Sequence, residues 1–210
     1  MTPFATHGLY AITDGPRDDL LDVAAQALAG GARLLQYRDK TPDHARRHAE
    51  ARALQQLCHR HGAALIVNDD VALALAIRAD GVHLGKQDGE LASARAALGG
   101  TAIIGVSCYD SIDRARTAVA AGADYIAFGA FFPSPTKPHA PRAMPGLLRQ
   151  SAALGVPRVA IGGITPDNAP SLVEAGADFL AVISAVFSAG DVRAAAQRFA
   201  QLYPSDRDPR

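Results

Sequence analysis

Gly30-Gly31-Ala32-Arg33-Leu34-Leu35, Ala79-Asp80-Gly81-Val82-His83-Leu84, Gly122-Ala123-Asp124-Tyr125-Ile126-Ala127 and Gly176-Ala177-Asp178-Phe179-Leu180-Ala181 are four versions of one pattern. In each, a turn of small residues runs into an apolar strand. The anchor positions 33, 80, 124 and 178 lie 47, 44 and 54 residues apart. A strand, a helix and their loops need about half that length, so each repeat holds two such units and four repeats give eight strands.

Outward from these anchors, the spacing predicts strands at Leu9–Thr13, Leu34–Tyr37, Ala64–Val67, Gly81–Leu84, Ala102–Ser107, Tyr125–Phe128, Arg158–Ile161 and Phe179–Ser184. They are short, apolar and mostly not alternating, as strands covered on both faces are. Leu20 to Ala29 has helical spacing and stops at Gly30-Gly31. Pro42 and Pro166 are expected in first turns of helices, where proline is tolerated. Strict alternation of strand and helix argues for a parallel sheet. Eight units in about 200 residues predict a single-domain (β/α)8 TIM barrel over residues 1–203, with 204–210 as a polar, frayed tail. An open doubly wound sheet is the alternative, and its switch point would break the fourfold regularity.

Composition narrows the partners. The 210 residues carry 21 Lys plus Arg against 21 Asp plus Glu, so there is neither a nucleic-acid footprint nor a polybasic surface for lipid. Apolar residues at 49% and charged residues at 20% are those of a globular protein. The first basic residue is Arg17, and the longest apolar runs, such as Phe179 to Phe187, fall short of the roughly 18 residues of a membrane span. Cys58 and Cys108 are too few for a disulfide framework and read as free thiols packed as small hydrophobes, in a reducing cytoplasm. The sequence is silent on oligomeric state.

In such a barrel the chemistry lies where strands end. Polar clusters stand at those ends: Gln36 to Lys40, Asn68-Asp69-Asp70, Gly85 to Asp88, Ser107-Cys108, Ser134 to Lys137, Gly162 to Thr165 and Ile183-Ser184-Ala185. Gln36, Arg38 and Lys40 alternate and so project to one side, an amide and two cations suited to a phosphate or diphosphate. Asp69 and Asp88 close neighbouring strands and would repel without a cation between them; magnesium fits, zinc does not. Asp70 is expected to cap the helix from Val71, and Asp88 has the same alternative before Leu91. Gly162-Gly163 with Ser184-Ala185 matches the phosphate site that barrels build after strands seven and eight. Residues 130–145 hold prolines at 133, 135, 138, 141 and 145, a long loop whose Ser134, Thr136 and Lys137 would close over a second phosphate. His83 is expected to be a hydrogen-bonded interior residue, and His139 is given no role. No general-base histidine or triad stands out, which points to leaving-group stabilisation such as displacement of diphosphate.

Together these motifs resemble the thiamine phosphate synthase family. The resemblance runs from Leu9-Tyr10-Ala11-Ile12-Thr13-Asp14 to Ala181-Val182-Ile183-Ser184. It takes in Gln36-x-Arg38-x-Lys40, Asn68-Asp69-Asp70, the 19 residues from Asp69 to Asp88, Gly105-Val106-Ser107, Pro133 to Lys137 and Ala160 to Thr165. The resemblance implies a transferase that joins a hydroxymethylpyrimidine diphosphate to a thiazole phosphate, or its carboxylate, releasing diphosphate. It implies that Gln36, Tyr37, Arg38, Asp39, Lys40, Asn68, Ser107 and Lys137 hold the pyrimidine diphosphate, with Arg38, Lys137 and Ser107 catalytic. Ser134, Pro135, Thr136, Gly163, Ile183 and Ser184 would hold the thiazole phosphate, and Asp69 and Asp88 one magnesium per subunit. The implied chemistry is dissociative, which agrees with the missing base. Three positions depart from the family's pattern: Ser134 replaces a commoner threonine, Ala130 a common proline, and Lys86 a usual glutamine, where it would compete for Asp88. The thiazole tautomerases share the barrel but lack the paired aspartates and use a histidine after strand five, where this chain has Tyr109. A non-catalytic binder of phosphorylated ligands is the remaining alternative.

Overall fold

The aspartates of the repeats explain how the strands are paired. In a computed structural model describing residues 7–85, 91–133 and 142–203, each of three aspartates sits just before an even-numbered strand. Each reaches back to the backbone at the start of the strand before it. Asp80 accepts from Leu65 N–H at 2.9 Å, Asp124 from Ile104 N–H at 2.7 Å and Asp178 from Arg158 N–H at 2.8 Å. A partner basic side chain closes each carboxylate: His59, Arg95 and Arg158 respectively. The first repeat has Arg33 instead. Its stem covers the start of the first strand, where a Cβ on Gly8, at φ +136°, would meet Arg33 Cγ at 2.7 Å.

The strands are β1 (Gly8–Ile12), β2 (Ala32–Tyr37), β3 (Ala64–Asn68), β4 (Gly81–Leu84), β5 (Ile103–Tyr109), β6 (Tyr125–Gly129), β7 (Arg158–Ile161) and β8 (Phe179–Val182). All neighbours are parallel and β8 pairs with β1, so the sheet closes into a (β/α)8 TIM barrel. The covering helices are α1 (Leu20–Ala29), α2 (His44–Arg60), α3 (Val71–Ile77), α4 (Leu91–Leu98), α5 (Ile112–Ala120), α6 (Gly146–Gln150), α7 (Pro170–Glu174), α8 (Ser184–Phe187) and α9 (Val192–Ala200). Closure separates two cores. Tyr10, Ile12, Leu34, Ile66, Tyr125 and Phe179 fill the barrel, while alternate residues such as Leu9, Leu35, Leu65, Ile104 and Phe128 pack outward under the helices.

Several expected boundaries move. β5 runs on to Tyr109 because a bulge after Ser107 takes up Cys108 as an extra residue. β8 ends at Val182, since Ile183 breaks the extended backbone and Ser184 opens α8. Pro42 lies outside its helix, before Asp43, whose carboxylate caps α2 through Arg46 N–H at 3.0 Å. Pro166 lies in a turn, and Pro170 takes the first position of α7. Asp70 caps α3 as expected, accepting from Leu73 N–H at 2.9 Å. Both thiols are buried and unpaired, and burial pushes Cys108 up to about 11. Among the described residues no helix is long and apolar enough to cross a membrane. The tail expected over 204–210 lies outside the described residues.

Candidate active site

The carboxyl ends of β2 and β3 open on a cleft of about 540 Å3 lined by Asp39, Lys40, Arg47, Asn68, Asp69, Asp70 and Val71. The alternation along β2 sorts its residues. Gln36 turns into the barrel and donates from Nε2 to the Tyr10 hydroxyl at 2.7 Å. Arg38 is half-buried, and none of the described residues pairs with its guanidinium. Its backbone is clamped by Thr13, whose Oγ1 accepts from Arg38 N–H at 2.8 Å.

Tyr37 and Asp39 are held by side chains of α2. The Tyr37 hydroxyl donates to Glu50 at 2.7 Å, and Asp39 pairs with Arg46 at 2.7 Å and accepts from Thr41 N–H at 2.8 Å. Burial pushes the Asp39 carboxyl up, but the hydrogen bonds from Thr41 and Arg46 outweigh it and hold it below the usual carboxylate range. These two residues brace the loop against α2, so the five residues from Gln36 to Lys40 do not converge as one set.

Asp69 sits in the left-handed region at φ 62°, which aspartate tolerates better than most residues. Its N–H bonds the His83 carbonyl at 2.9 Å, and its carboxylate accepts from Asn68 Nδ2 at 2.6 Å and faces the exposed Lys40 ammonium at 3.7 Å. Arg47, which sequence reasoning missed, ties α2 to Asp70 at 2.7 Å. Among the described residues no group of three or more His, Cys, Asp or Glu forms a metal cage. The donor chemistry still fits magnesium: the cleft offers carboxylate and amide oxygens and neither imidazole nor sulfur. Asp88, expected as the second metal carboxylate, and Lys86 lie outside the described residues, as do Ser134, Pro135, Thr136 and Lys137.

Farther round the rim, Gly162 and Gly163 have φ of 103° and 64°. A Cβ on Gly163 would meet the Pro133 carbonyl oxygen at 2.4 Å, so the pair admits the stem of the proline-rich loop. Asn168, also missed, holds this turn by donating to the Gly163 carbonyl at 3.0 Å while accepting from Thr165 N–H at 2.9 Å. Ile183 is half-buried and Ser184 exposed at the opening of α8. Ser107, half-buried on β5, lies 2.9 Å from His83 Nε2. His83 is thus hydrogen-bonded within the barrel, as the sequence suggests.

The family model for thiamine monophosphate synthase matches residues 9–186, most of the chain. This chain belongs to the thiamine monophosphate synthase family. It is therefore an enzyme of thiamine biosynthesis and a transferase. The thiamine-phosphate synthase of Chromobacterium violaceum is 58% identical over 200 residues, covering 94% of this chain and 97% of that one. That of Xanthomonas campestris pv. campestris is 57% identical over 198 residues, covering 91% and 93%. Among solved structures, a thiamine phosphate pyrophosphorylase from Pyrococcus furiosus matches with a TM-score of 0.83 at 36% identity, over 94% of this chain and 95% of that one. A 3-hexulose-6-phosphate synthase at 17% identity and a TM-score of 0.70 shares the fold alone.

Proposed function

We propose that this barrel joins a hydroxymethylpyrimidine diphosphate to a thiazole phosphate, releasing diphosphate and thiamine phosphate, through a dissociative displacement in the cytoplasm. Residues 1–203 serve as its catalytic domain and 204–210 as a polar tail. The observation that carries the reading is the charge arrangement after β2 and β3. Lys40 faces the Asp69 carboxylate at 3.7 Å on a cleft that Arg47 also lines, and Arg38, unpaired among the described residues, follows the end of β2 two residues before Lys40. Two cations beside an acceptor-only carboxylate suit a diphosphate that arrives with a divalent metal. The named relatives support the same assignment.

In this reading Gln36, Arg38, Lys40, Asn68, Ser107 and Lys137 contact the pyrimidine diphosphate, and Tyr37 and Asp39 brace that subsite from α2. Gln36 gives one of its two Nε2–H donors to Tyr10, and its carbonyl oxygen suits the substrate's amino group. Asp69 with Asp88 would hold one magnesium per subunit, which when bound supplies positive charge against the diphosphate oxygens. Arg38 and Lys137 neutralise charge as the leaving group departs. Ser134, Pro135, Thr136, Gly163, Ile183 and Ser184 hold the thiazole phosphate, on the loops where barrels of this kind bind phosphate. The thiazole nitrogen attacks without losing a proton, so the protein is asked for charge stabilisation and exclusion of water rather than for a base. The unpaired, buried thiols support a reducing compartment.

The test is diphosphate release with each substrate alone and with both, with and without magnesium. Magnesium-dependent release that needs both partners, with thiamine phosphate as product, is expected. Metal-free isomerisation of a thiazole carboxylate phosphate, with no diphosphate released, would overturn the reading in favour of a tautomerase. Binding of both phosphorylated ligands without turnover would make the chain a binder.

A further inference from the structure

Five polar side chains cross the interior of the barrel in one line. Gln36 Nε2 donates to the Tyr10 hydroxyl at 2.7 Å, and the Tyr10 and Tyr125 hydroxyls lie 2.8 Å apart. The Tyr125 hydroxyl meets His83 Nδ1 at 2.9 Å, and His83 Nε2 meets Ser107 Oγ at 2.9 Å. Packing holds the line in place. The Tyr125 ring stacks on His83 with centroids 5.6 Å apart and meets Tyr10 edge-on at 6.0 Å. A Cβ on Gly105 would stand 1.9 Å from Tyr125 Cζ, so glycine there is what lets the ring in.

With Gln36 Nε2 turned to Tyr10, as it stands in the structure, one order of the protons along this line leaves none stranded. Burial raises both phenols well above their ordinary range, so each keeps its single proton. The Tyr10 oxygen accepts from Gln36, and the proton of Tyr10 goes to its other polar neighbour, the Tyr125 oxygen. The proton of Tyr125 then goes to His83 Nδ1, which must be bare to accept it. The imidazole proton is left on Nε2 and is donated to Ser107 Oγ. The serine's own proton therefore points away from the histidine. With the Gln36 amide nitrogen facing Tyr10, the reverse order would leave the buried Tyr10 proton with no acceptor, a loss that buried polar groups rarely bear.

We infer that this line is a one-way relay that locks His83 as its Nε2–H tautomer and presents Ser107 to the pyrimidine diphosphate as a hydrogen-bond donor. The 2.9 Å pair of His83 and Ser107 has the spacing of a base and a nucleophile, but it is wired in the opposite sense. His83, Tyr125 and Tyr10 are positioning residues, and Ser107 is the group that touches substrate. The substrate half of this inference rests on the function proposed above; the tautomer half does not.

The experiment is nitrogen NMR on full-length protein carrying 15N-histidine, with the His83 signals assigned by their loss in His83→Gln. The expected result without substrate is a protonated Nε2 and an unprotonated Nδ1, with the Nδ1–H form gaining population in Tyr125→Phe. An Nδ1–H imidazole in the unsubstituted protein would overturn the relay whatever the activity. In the coupled synthesis assay, Tyr125→Phe keeps the ring that fills the space beside Gly105. It is expected to lower kcat by about tenfold, with KM for the pyrimidine diphosphate within about twofold, the scale of lost outer support for a site group. Combining it with Ser107→Ala should add little to the loss from Ser107→Ala alone, whereas Ser107→Thr should restore kcat. An unchanged kcat in Tyr125→Phe, or covalent capture of Ser107 by a sulfonyl fluoride, would refute the donor role. The Nε2–H tautomer in a protein that makes no thiamine phosphate would uphold the wiring and overturn the proposed function instead.

Discussion

Replacing Asp80 with alanine is expected to cost about 1–4 kcal/mol of folding free energy and to leave the chemistry of the rim in place. Asp80 is 7% exposed, and its carboxylate accepts from Leu65 N–H at 2.9 Å and faces His59 Nε2 at 3.1 Å. Truncation strands a buried backbone donor, which costs about 1–3 kcal/mol. Loss of the partner to His59 adds up to about 1 kcal/mol, held down by the 39% exposure of that side chain. In a chain of this length each kcal/mol moves the unfolding midpoint by about 2–4 °C, so a loss of about 3 kcal/mol lowers it by about 6–12 °C. Asp124 makes the same kind of bond to Ile104 N–H, but its side chain is 39% exposed, so Asp124→Ala is expected to cost less. Urea unfolding of both variants, followed by circular dichroism, measures the two costs on one scale. A loss under about 0.5 kcal/mol in Asp80→Ala, the size of an ordinary surface substitution, would falsify the pairing role of the repeat aspartates. So would a larger loss in Asp124→Ala.

Asp69→Asn is expected to abolish turnover with the unfolding midpoint kept, because asparagine is at home at positive φ but is a poor magnesium ligand; turnover at the unsubstituted rate under limiting magnesium removes Asp69 from the metal site. Arg38→Ala should lower kcat/KM by the equivalent of about 2–4 kcal/mol, the scale of a lost preorganised charge donor, and an unchanged kcat/KM takes Arg38 out of the site. Asp39 is held below its ordinary value in the fold, so the stability it adds is present above a pH of about 4 and is lost as the pH falls through its native value. Asp39→Asn should therefore flatten the fall in urea midpoint between neutral and acid pH, and an unaltered slope contradicts the bracing by Arg46 and Thr41. Burial raises both thiols, Cys108 to about 11, so neither should react with a disulfide reagent near neutral pH until the protein unfolds; rapid labelling of the folded protein overturns that.

The barrel was legible because its regularity is local. Each small-residue turn and apolar strand falls within six residues, and the spacing of the four turns yields the strand count. The rim was legible by the same route, since polar residues following an apolar strand mark its end. The alternation through β2 also separates Gln36, which turns into the barrel, from Tyr37, which reaches Glu50 on α2. The interior line was not legible. Tyr10 and Tyr125 are 115 residues apart and meet only because closure of the sheet brings β1 and β6 to face each other across the barrel. Thr13 was quoted as part of a motif but its grip on Arg38 needs the register of β1 against β2, where Ile12 pairs with Gln36. Pro42 was misplaced because proline next to a cap and proline in a first turn leave the same trace in a sequence.

Stability and chemistry are separated along the strands themselves. Asp80 secures β3 at Leu65, while Asn68 and Asp69 close its other end on the cleft. Three to four residues of extended chain span about 10–13 Å, beyond the reach of a direct hydrogen bond between the two ends. What joins them is β4, which carries Asp80 before its first residue and gives the His83 carbonyl to Asp69 N–H. The imidazole of that same His83 is where the interior line reaches Ser107. A strand of four residues, preceded by a repeat aspartate, thus meets the Asp69 backbone and the Ser107 hydroxyl at separate points. Close packing holds that strand in register: a Cβ on Gly81, its first residue, would stand 2.0 Å from the Ile103 carbonyl oxygen, and one on Gly105, opposite His83 on β5, would expel Tyr125.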